Sequence, residues 1–262
     1  MDTGPVLPEG EIAVLGRHPS ASNIVLVAEL RAADLEPVTV SYKPISGERP
    51  LWDFPDGSLA AREVAAALID RLGGFDLIPD TVLREGPVGP GSVQRWVGEV
   101  TAPVSTPVAV TPPDEVPAGN IVVLAGEDEG GDPLLLSHPD DSRLRSMAVL
   151  DAVLNNSDRK GGHVLVHEGR LWGIDHGVSL HVDPKLRTVL WGWAGDPIVP
   201  EDRSRLRTLA AALEETTVEE ELLRLLTHEE VEALRGRVAR LLATSTHPEP
   251  SEDWPSIPWP PL

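Results

Sequence analysis

Cysteine is absent from the 262 residues of this chain, and aromatic residues make up only 4% of it. Without cysteine there is no disulfide framework, no thiolate metal site and no thiol nucleophile, and a reducing cytoplasm is the expected compartment. The sequence also lacks an apolar run of eighteen residues and an N-terminal export signal. We therefore expect a cytoplasmic protein with no stable membrane insertion.

Basic residues are scarce: 22 lysines and arginines stand against 42 acidic residues, a formal charge of −20. Such a surface repels polyanions at long range, so we expect no nucleic-acid partner. Hydrophobic residues make up 41% of the chain, which is ordinary for a globular protein. The length suffices for two lobes that share a cleft.

The most informative residues are two aspartates seventeen positions apart, Asp158 and Asp175. The segment between them predicts a strand, a tight turn at Gly169 and a second strand. Because a hairpin returns its ends to the same place, we expect both carboxylates at the mouth of one site. Paired carboxylates suit a divalent ion and a phosphate-bearing substrate.

The first half of the chain predicts a sheet with one helix. The expected strands span 11–16, 24–30, 38–44, 81–84 and 92–97, and the helix spans 59–72 with Ser58 as its N-cap. The small polar loop between the first two strands contains Ser20, Ser22 and Asn23. We expect this loop to offer hydroxyl and N–H groups to phosphate oxygens, although it is equally typical of a plain turn.

Lys43 lies near the end of the third predicted strand, and Glu63 lies in the second turn of the helix. A lysine held by a glutamate presents a fixed positive charge to nucleotide phosphates. The alternative is that Glu63 pairs with its neighbour Arg62 or faces water.

The second half predicts a helical lobe, with helices at 140–154, 201–213, 218–226 and 229–242. The expected organisation is an N-lobe at 1–100, a Pro-rich linker or insert at 101–120, a helical C-lobe at 121–246 and an extended Pro- and Trp-rich tail at 247–262. The predicted fold class is thus α+β and two-lobed, with an antiparallel sheet and one helix in the first lobe. The tail could dock onto the helices or bind a protein partner.

The segments around the two aspartates, together with Tyr42-Lys43-Pro44, resemble the phosphatidylinositol 3-/4-kinase superfamily. The pattern is similar to that of an actinobacterial phosphatidylinositol-kinase-like family of unknown substrate, and more distantly to HipA-type kinases. The order of elements matches over nearly the whole chain, but the specific motifs cover only three short segments. This resemblance implies a protein-kinase-like fold that binds ATP and Mg²⁺ or Mn²⁺ between its lobes.

The resemblance also implies roles for single residues. Asp158, with Arg159 of the same motif, matches the catalytic loop, and Asp175 matches the metal-binding aspartate. Lys43 and Glu63 match the phosphate-contacting lysine and its helix partner. The strand that ends at Trp96 and Val97 would contact adenine through its backbone.

His163 is a departure from this pattern, because such kinases usually place a metal-binding asparagine five residues after the catalytic aspartate. An imidazole is a poorer ligand for a hard ion than an amide oxygen, and it favours zinc or manganese. His163 is therefore either a working metal ligand, a sign of altered or impaired catalysis, or a residue that only holds the loop.

The acceptor is expected to be a hydroxyl group on a lipid, a protein or a small molecule, and transfer of AMP instead of phosphate is an open alternative. The region after Asp175 offers only His181, Lys185 and Arg187 to an anionic lipid headgroup. Two other classes stay open. One is a nucleotide-binding regulatory module without turnover. The other is a metal-dependent phosphohydrolase that uses Asp158, His163, Asp175 and His176.

Overall fold

A five-stranded antiparallel sheet forms the first part of the molecule, in a computed structural model that describes residues 7–18, 23–33 and 35–262. Its strand order is β1-β2-β3-β5-β4. The strands are β1 Glu11–Arg17, β2 Leu26–Arg31, β3 Val38–Pro44, β4 Thr81–Gly86 and β5 Gly89–Arg95. Strand β3 is therefore central: it pairs with β2 as far as Tyr42 and with β5 at Lys43, which lies opposite Ser92.

A single long helix, α1 (Leu59–Gly73), connects β3 to β4 and packs against β4 and β5. Its first turn is capped by the Glu48 carboxylate, which accepts hydrogen bonds from the N–H groups of Leu59 and Ala60 at 3.1 and 2.8 Å. Ser58 precedes the helix as predicted, but its hydroxyl donates to Pro55 O and does not cap α1. A carboxylate at this end also complements the helix dipole.

Four further α-helices lie in the described remainder of the fold, which has the predicted α+β class, with an antiparallel sheet and one helix in its first part. They are α2 Ser142–Leu154, α3 Pro200–Ala212, α4 Thr216–Leu222 and α5 His228–Thr244. A capping box begins α5, with Thr227 and Glu230 each accepting from the other's N–H group. Apolar side chains of α1, α2, α3 and α5 share one core, so α1 joins the sheet to the helical part.

A three-stranded antiparallel sheet, which was not among the predicted elements, lies between these two parts along the chain. Its strands are β6 Ala109–Thr111, β7 Asn120–Glu127 and β8 Pro133–Pro139, in the order β6-β8-β7. Strand β6 falls inside the Pro-rich segment 101–120. The boundaries proposed for the lobes, linker and tail remain predictions.

The last residues run in an extended path over the helical part. Thr188 N–H and Trp191 Nε1–H both donate to Ser256 O, at 3.0 and 2.8 Å. Further along, Gly161 N–H donates to Pro261 O at 2.8 Å. The tail is thus bound next to the Asp158 loop, while the Trp259 ring is 76% exposed; a protein partner for it stays a prediction.

In the part of the chain that the structure describes, every helix is too short or too polar to traverse a bilayer.

Candidate functional site

The two aspartates of interest are brought together by a hairpin of β9 (Val164–His167) and β10 (Arg170–Gly173). Glu168 and Gly169 form its tight turn with positive φ angles of 50° and 73°, a conformation that glycine adopts without strain. At the open end, Ile174 N–H donates to His163 O at 3.0 Å. The predicted hairpin thus returns the chain to the Asp158 loop.

The loop that carries Asp158 is fixed from inside the protein. Helix α2 ends at Leu154, and its C-cap residue Asn155 adopts a left-handed conformation with φ of 51°. The next residue, Asn156, is fully buried: its Oδ1 accepts from Asp158 N–H at 3.0 Å and its Nδ2 donates to Asp151 at 3.0 Å. A buried side-chain amide that makes these hydrogen bonds holds the backbone of the Asp158 loop in one conformation.

Arg159, the residue predicted beside Asp158 in the catalytic loop, has its side chain inside the protein. Its side chain is fully buried and donates to both oxygens of Asp151, at 2.9 to 3.1 Å. Its Nη1 donates to the carbonyl oxygens of His163 and Ile174, at 3.2 and 3.0 Å. The guanidinium thus ties the two ends of the hairpin together, and Arg159 is not among the described residues that line the neighbouring cleft.

We predict that Arg159→Met destabilises the protein strongly. The substitution leaves the Asp151 carboxylate buried without its cation, which typically costs about 3–5 kcal/mol. Urea unfolding followed by circular dichroism measures the loss. The matched control is Arg170→Met. Arg170 lies on the same hairpin and forms an exposed ion pair with Asp76, which follows α1. Exposed ion pairs contribute about 1 kcal/mol or less. Equal losses in the two variants would contradict the role given to Arg159.

Lys43 lies between two carboxylates. Its Nζ forms a short ion pair with Glu63 and donates to Asp175 Oδ1 at 2.8 Å. The second oxygen of Glu63 accepts from His176 N–H at 3.0 Å. Glu63 does not pair with its neighbour Arg62, because Arg62 pairs with Glu230. Strand β3, helix α1 and the Asp175 segment thus meet at one ammonium group.

This arrangement shifts the pKa values of all three groups. Burial alone would lower the pKa of Lys43, but the carboxylates of Asp175 and Glu63 outweigh it and raise that pKa above its ordinary value. The Lys43 charge in turn holds the pKa of Asp175 well below its usual range. Burial raises the pKa of Glu63 against the opposing effect of Lys43. We take Lys43 and Asp175 to be charged at neutral pH.

His163 faces Asp175 from the other side. Its Nε2 lies 3.3 Å from Asp175 Oδ2, while its Nδ1 lies 2.9 Å from the backbone oxygen of Asp158. Burial lowers the pKa of this imidazole, and the nearby cations Arg159 and Lys43 add to that effect against Asp175. A neutral ring at this place has its proton on Nδ1 and a free lone pair on Nε2.

The Asp158 side chain is partly exposed, and Lys160 Nζ lies 3.5 Å from its Oδ2. Burial raises the pKa of Asp158 above its ordinary value, with Lys160 and His163 opposing that shift. Lys160 was not predicted as a site residue, but it lines the same cleft.

These groups open into a cleft of about 700 Å³ between the sheet and the hairpin. Its lining includes side chains from both parts of the fold: Ser41, Lys43, Gln94, Trp96, Val97, Asp158, His163, Leu165, Ile174 and Asp175. The volume suits a nucleotide-sized ligand. The predicted contact between adenine and the backbone at Trp96 is restricted, because Trp96 N–H already donates to Thr39 O at 3.0 Å.

The described part of the predicted phosphate loop borders this cleft through His18. Ser20 and Ser22 lie outside the described residues. Asn23 is not among the described residues that line the cleft, and its Oδ1 accepts from Arg49 N–H at 2.9 Å.

His176, the fourth member of the hydrolase alternative, is separated from the cleft groups. Its ring is fully buried, and its Nε2 accepts from Arg159 at 2.6 Å. Burial lowers the pKa of His176 well below its usual value. The mixed four-residue metal site of that alternative therefore does not form.

The basic residues after Asp175 are engaged inside the protein. Lys185 is buried, donates to Asp53 at 2.6 Å and lies 4.8 Å from the Trp52 ring centre and 5.1 Å from that of Trp254. Arg187 donates to Ile257 O at 3.3 Å. These two side chains hold the segment against the neighbouring loop and the tail.

Comparison with known proteins gives a relative by sequence and a likeness by fold. No family model matches the chain. The crystal structure of a proinflammatory kinase from Helicobacter pylori, CtkA, has a TM-score of 0.48 and 10% identity to this protein, over 92% of this chain and 95% of that one. A structural likeness of that size does not indicate a shared activity. Protein Rv2133c of Mycobacterium tuberculosis is 45% identical over 267 aligned residues, which cover 99% of this chain and 95% of that protein. The chain belongs to the family of this mycobacterial protein.

Proposed function

We propose that the protein is an ATP-dependent phosphotransferase of the phosphatidylinositol 3-/4-kinase-like type, which moves a phosphate to a hydroxyl acceptor. The observation that carries the proposal is the position of Lys43, held between Glu63 and Asp175 at the mouth of a cleft that Asp158 also lines. A partly buried cation next to a half-exposed carboxylate, with a second carboxylate facing the same space, suits a triphosphate and its metal ion.

The donor set fits a divalent ion. Asp175 Oδ2 and His163 Nε2 face each other at 3.3 Å, and both carry free lone pairs when the ring is neutral. These two residues would hold Mg²⁺ or Mn²⁺. When bound, the ion would neutralise charge on the phosphate oxygens.

The side chains that line the cleft have separate roles in binding ATP and in the transfer. Lys43 binds phosphate oxygens with a fixed positive charge, and Glu63 holds that ammonium group in place. Adenine binds beside Trp96 and Val97, where Leu165 and Ile174 supply apolar surface. Asp158 accepts the proton of the attacking hydroxyl, a role that its raised pKa favours. Lys160 lies where it would meet the transferred group.

The acceptor that the charges favour is a protein or small-molecule hydroxyl. A lipid kinase of this type requires basic side chains that meet an anionic headgroup, but Lys185 and Arg187 bind Asp53 and the tail instead. The formal charge of −20 also opposes approach to an anionic membrane.

The test is a transfer assay with ATP labelled on the γ-phosphate and, in parallel, on the α-phosphate. Purified protein, Mg²⁺ or Mn²⁺, and protein, lipid and small-molecule fractions of an actinobacterial extract complete the reaction. We expect γ-label in the protein or small-molecule fraction. Transfer of α-label would reveal AMP transfer and overturn the assignment of phosphotransfer.

A nucleotide-binding module without turnover is the second candidate, and His163 is the observation that favours it. An imidazole next to Asp175 is an unusual partner for Mg²⁺. ATP-dependent thermal stabilisation without label transfer, under either metal, would support this module over the transferase.

A further inference from the structure

The second half of the tail has two segments that are held differently. The proximal segment, residues 254–258, is anchored to the helical part of the fold. Ser256 O accepts from Thr188 N–H at 3.0 Å and from Trp191 Nε1–H at 2.8 Å. The next residue, Ile257, packs against the main apolar core. These contacts fix the proximal segment in place.

The distal segment, residues 259–262, is held more lightly. In the described part of the chain, one hydrogen bond joins it to the rest of the protein, from Gly161 N–H to Pro261 O at 2.8 Å. The Trp259 ring is 76% exposed and Leu262 is 49% exposed, so the burial of apolar surface contributes little to holding the segment. A single neutral hydrogen bond also adds little net stability. The distal segment therefore leaves its place at a small cost.

The distal segment reaches into the cleft. Pro260 and Leu262 line the cleft together with Asp158 and Lys160. The contact is close because Gly161 has no side chain: a Cβ atom there would lie 2.5 Å from Leu262 Cδ2. In the proposed reaction, Asp158 and Lys160 are the groups that meet the acceptor hydroxyl and the transferred phosphate. The distal segment thus lies beside the acceptor half of the cleft.

The side chains of the distal segment bring no reactive group to that place. Pro260, Pro261 and Leu262 carry no side-chain donor, acceptor or titratable group. They bind neither a phosphate nor a metal ion, and they transfer no proton. Their effect on the acceptor half is to occupy space next to a carboxylate and an ammonium group. Such a segment is suited to keep an acceptor out.

We propose that the distal segment is a displaceable cover over the acceptor half of the cleft. Asp158 and Lys160 become accessible to an acceptor when the segment leaves Gly161. A segment that is anchored at one side and lightly held at the other alternates between a bound and an open state, and such minor states are typically about 0.1–10% populated. The proposal rests on the proposed function for what the cover keeps out, whereas the cover itself is a property of the fold.

The lysines of the chain provide a test that needs neither nucleotide nor acceptor. The sequence contains three of them, Lys43, Lys160 and Lys185, so acetylation by N-hydroxysuccinimidyl acetate followed by mass spectrometry reports on three separate places. Lys160 lies in the acceptor half. Lys185 is the internal control, because it is buried against Asp53 and is not among the described residues that line the cleft.

Deletion of residues 259–262 is expected to raise the acetylation rate of Lys160 by about tenfold or more. The reason is that a cover that is open for about a tenth of the time or less exposes the amine for only that fraction. The rate at Lys185 should stay unchanged, since the proximal segment is kept. An unchanged rate at Lys160 would overturn the inference.

A pair of single substitutions separates the cover from a general loosening of the tail. Leu262→Ala removes the side chain that packs on Gly161 and should raise the acetylation rate of Lys160. Trp259→Ala is the matched control, because Trp259 is exposed and is not among the described residues that line the cleft; it should leave the rate unchanged. If the deletion also raised the rate at Lys185, the anchor would have been released, and Leu262→Ala would then decide: no rise at Lys160 in that variant would overturn the inference.

Amide hydrogen exchange measured by NMR gives a second readout. Gly161 N–H donates to Pro261 O at 2.8 Å, and Gly173 N–H donates to Leu77 O at 2.7 Å. We expect the Gly161 amide to exchange at least about 100-fold faster than the Gly173 amide in the wild type, because only the first depends on the distal segment. The deletion should remove the protection of Gly161 alone. Equal protection of the two amides in the wild type would show a fixed segment and overturn the displaceable cover.

The transfer assay then separates the cover from the proposed function. With the protein fraction of the extract at low concentration, the deletion should raise label transfer by about tenfold and change the dissociation constant for ATP by less than about twofold. Tighter ATP binding in the deletion would place the cover over the nucleotide, and transfer that the deletion leaves unchanged would spare the transferase; either result would overturn the cover over the acceptor. If neither protein transferred label, the proposed function would fail, while the lysine and amide measurements would still decide whether the cover exists.

Discussion

Asp175→Ala is expected to lose metal-dependent ATP binding and, with it, all detectable transfer. The substitution removes the carboxylate that is paired with Lys43 at 2.8 Å and that faces His163 at 3.3 Å. We expect ATP affinity in the presence of Mn²⁺ to fall by about 100-fold or more, since the ion and the triphosphate would share this ligand. Isothermal titration with ATP and Mn²⁺ measures the effect.

Asp183→Asn is the control for this variant. Asp183 lies eight residues further along the same segment, and its carboxylate is well exposed. It should bind ATP as the wild type does. Wild-type affinity in Asp175→Ala, with the fold intact by circular dichroism, would contradict the assignment of Asp175 to the metal.

Asp158→Asn is expected to separate binding from chemistry. The side chain keeps its shape and the loop keeps the bond from its N–H group to Asn156, but an amide cannot accept the proton of the acceptor hydroxyl. Loss of a general base typically costs about 10² to 10⁴ in rate. We expect transfer to fall by that factor while the dissociation constant for ATP changes by less than about twofold. The label-transfer assay and calorimetry on the same preparation measure the two effects.

The control here is the pair of variants itself. Asp158→Asn should lose transfer and keep ATP, whereas Asp175→Ala should lose both. If Asp158→Asn transferred phosphate at the wild-type rate, another group would be the base and the roles given to the two aspartates would be wrong.

The hairpin and the lysine–glutamate pair could be predicted from the sequence because each depends on local patterns. Gly169 marks the turn, strand periodicity surrounds it, and so the proximity of Asp158 and Asp175 follows from geometry alone. Lys43 and Glu63 are placed by a strand and the helix that follows it. Their ion pair confirms the predicted contact, whereas their part in nucleotide binding remains a proposal.

The buried position of the Arg159 side chain could not be predicted from local sequence patterns. Its motif suggests a catalytic residue, but its partner Asp151 lies on the preceding helix, and their mutual burial depends on how α2 packs against the hairpin. The three-stranded sheet was missed for a similar reason. Strand β6 has three residues within a Pro-rich segment, and only its pairing with β8 identifies it.

The proposed function depends most directly on a contact between Lys43 and the nucleotide phosphates. Its decisive measurement is a calorimetric comparison of ATP and adenosine binding, with Mn²⁺ present, in the wild type and in Lys43→Met. We predict that the wild type binds ATP more tightly than adenosine, and that the substitution removes this difference by weakening ATP alone. Absence of ATP binding in the wild type, or equal ATP affinity in both proteins, would contradict the proposed cleft.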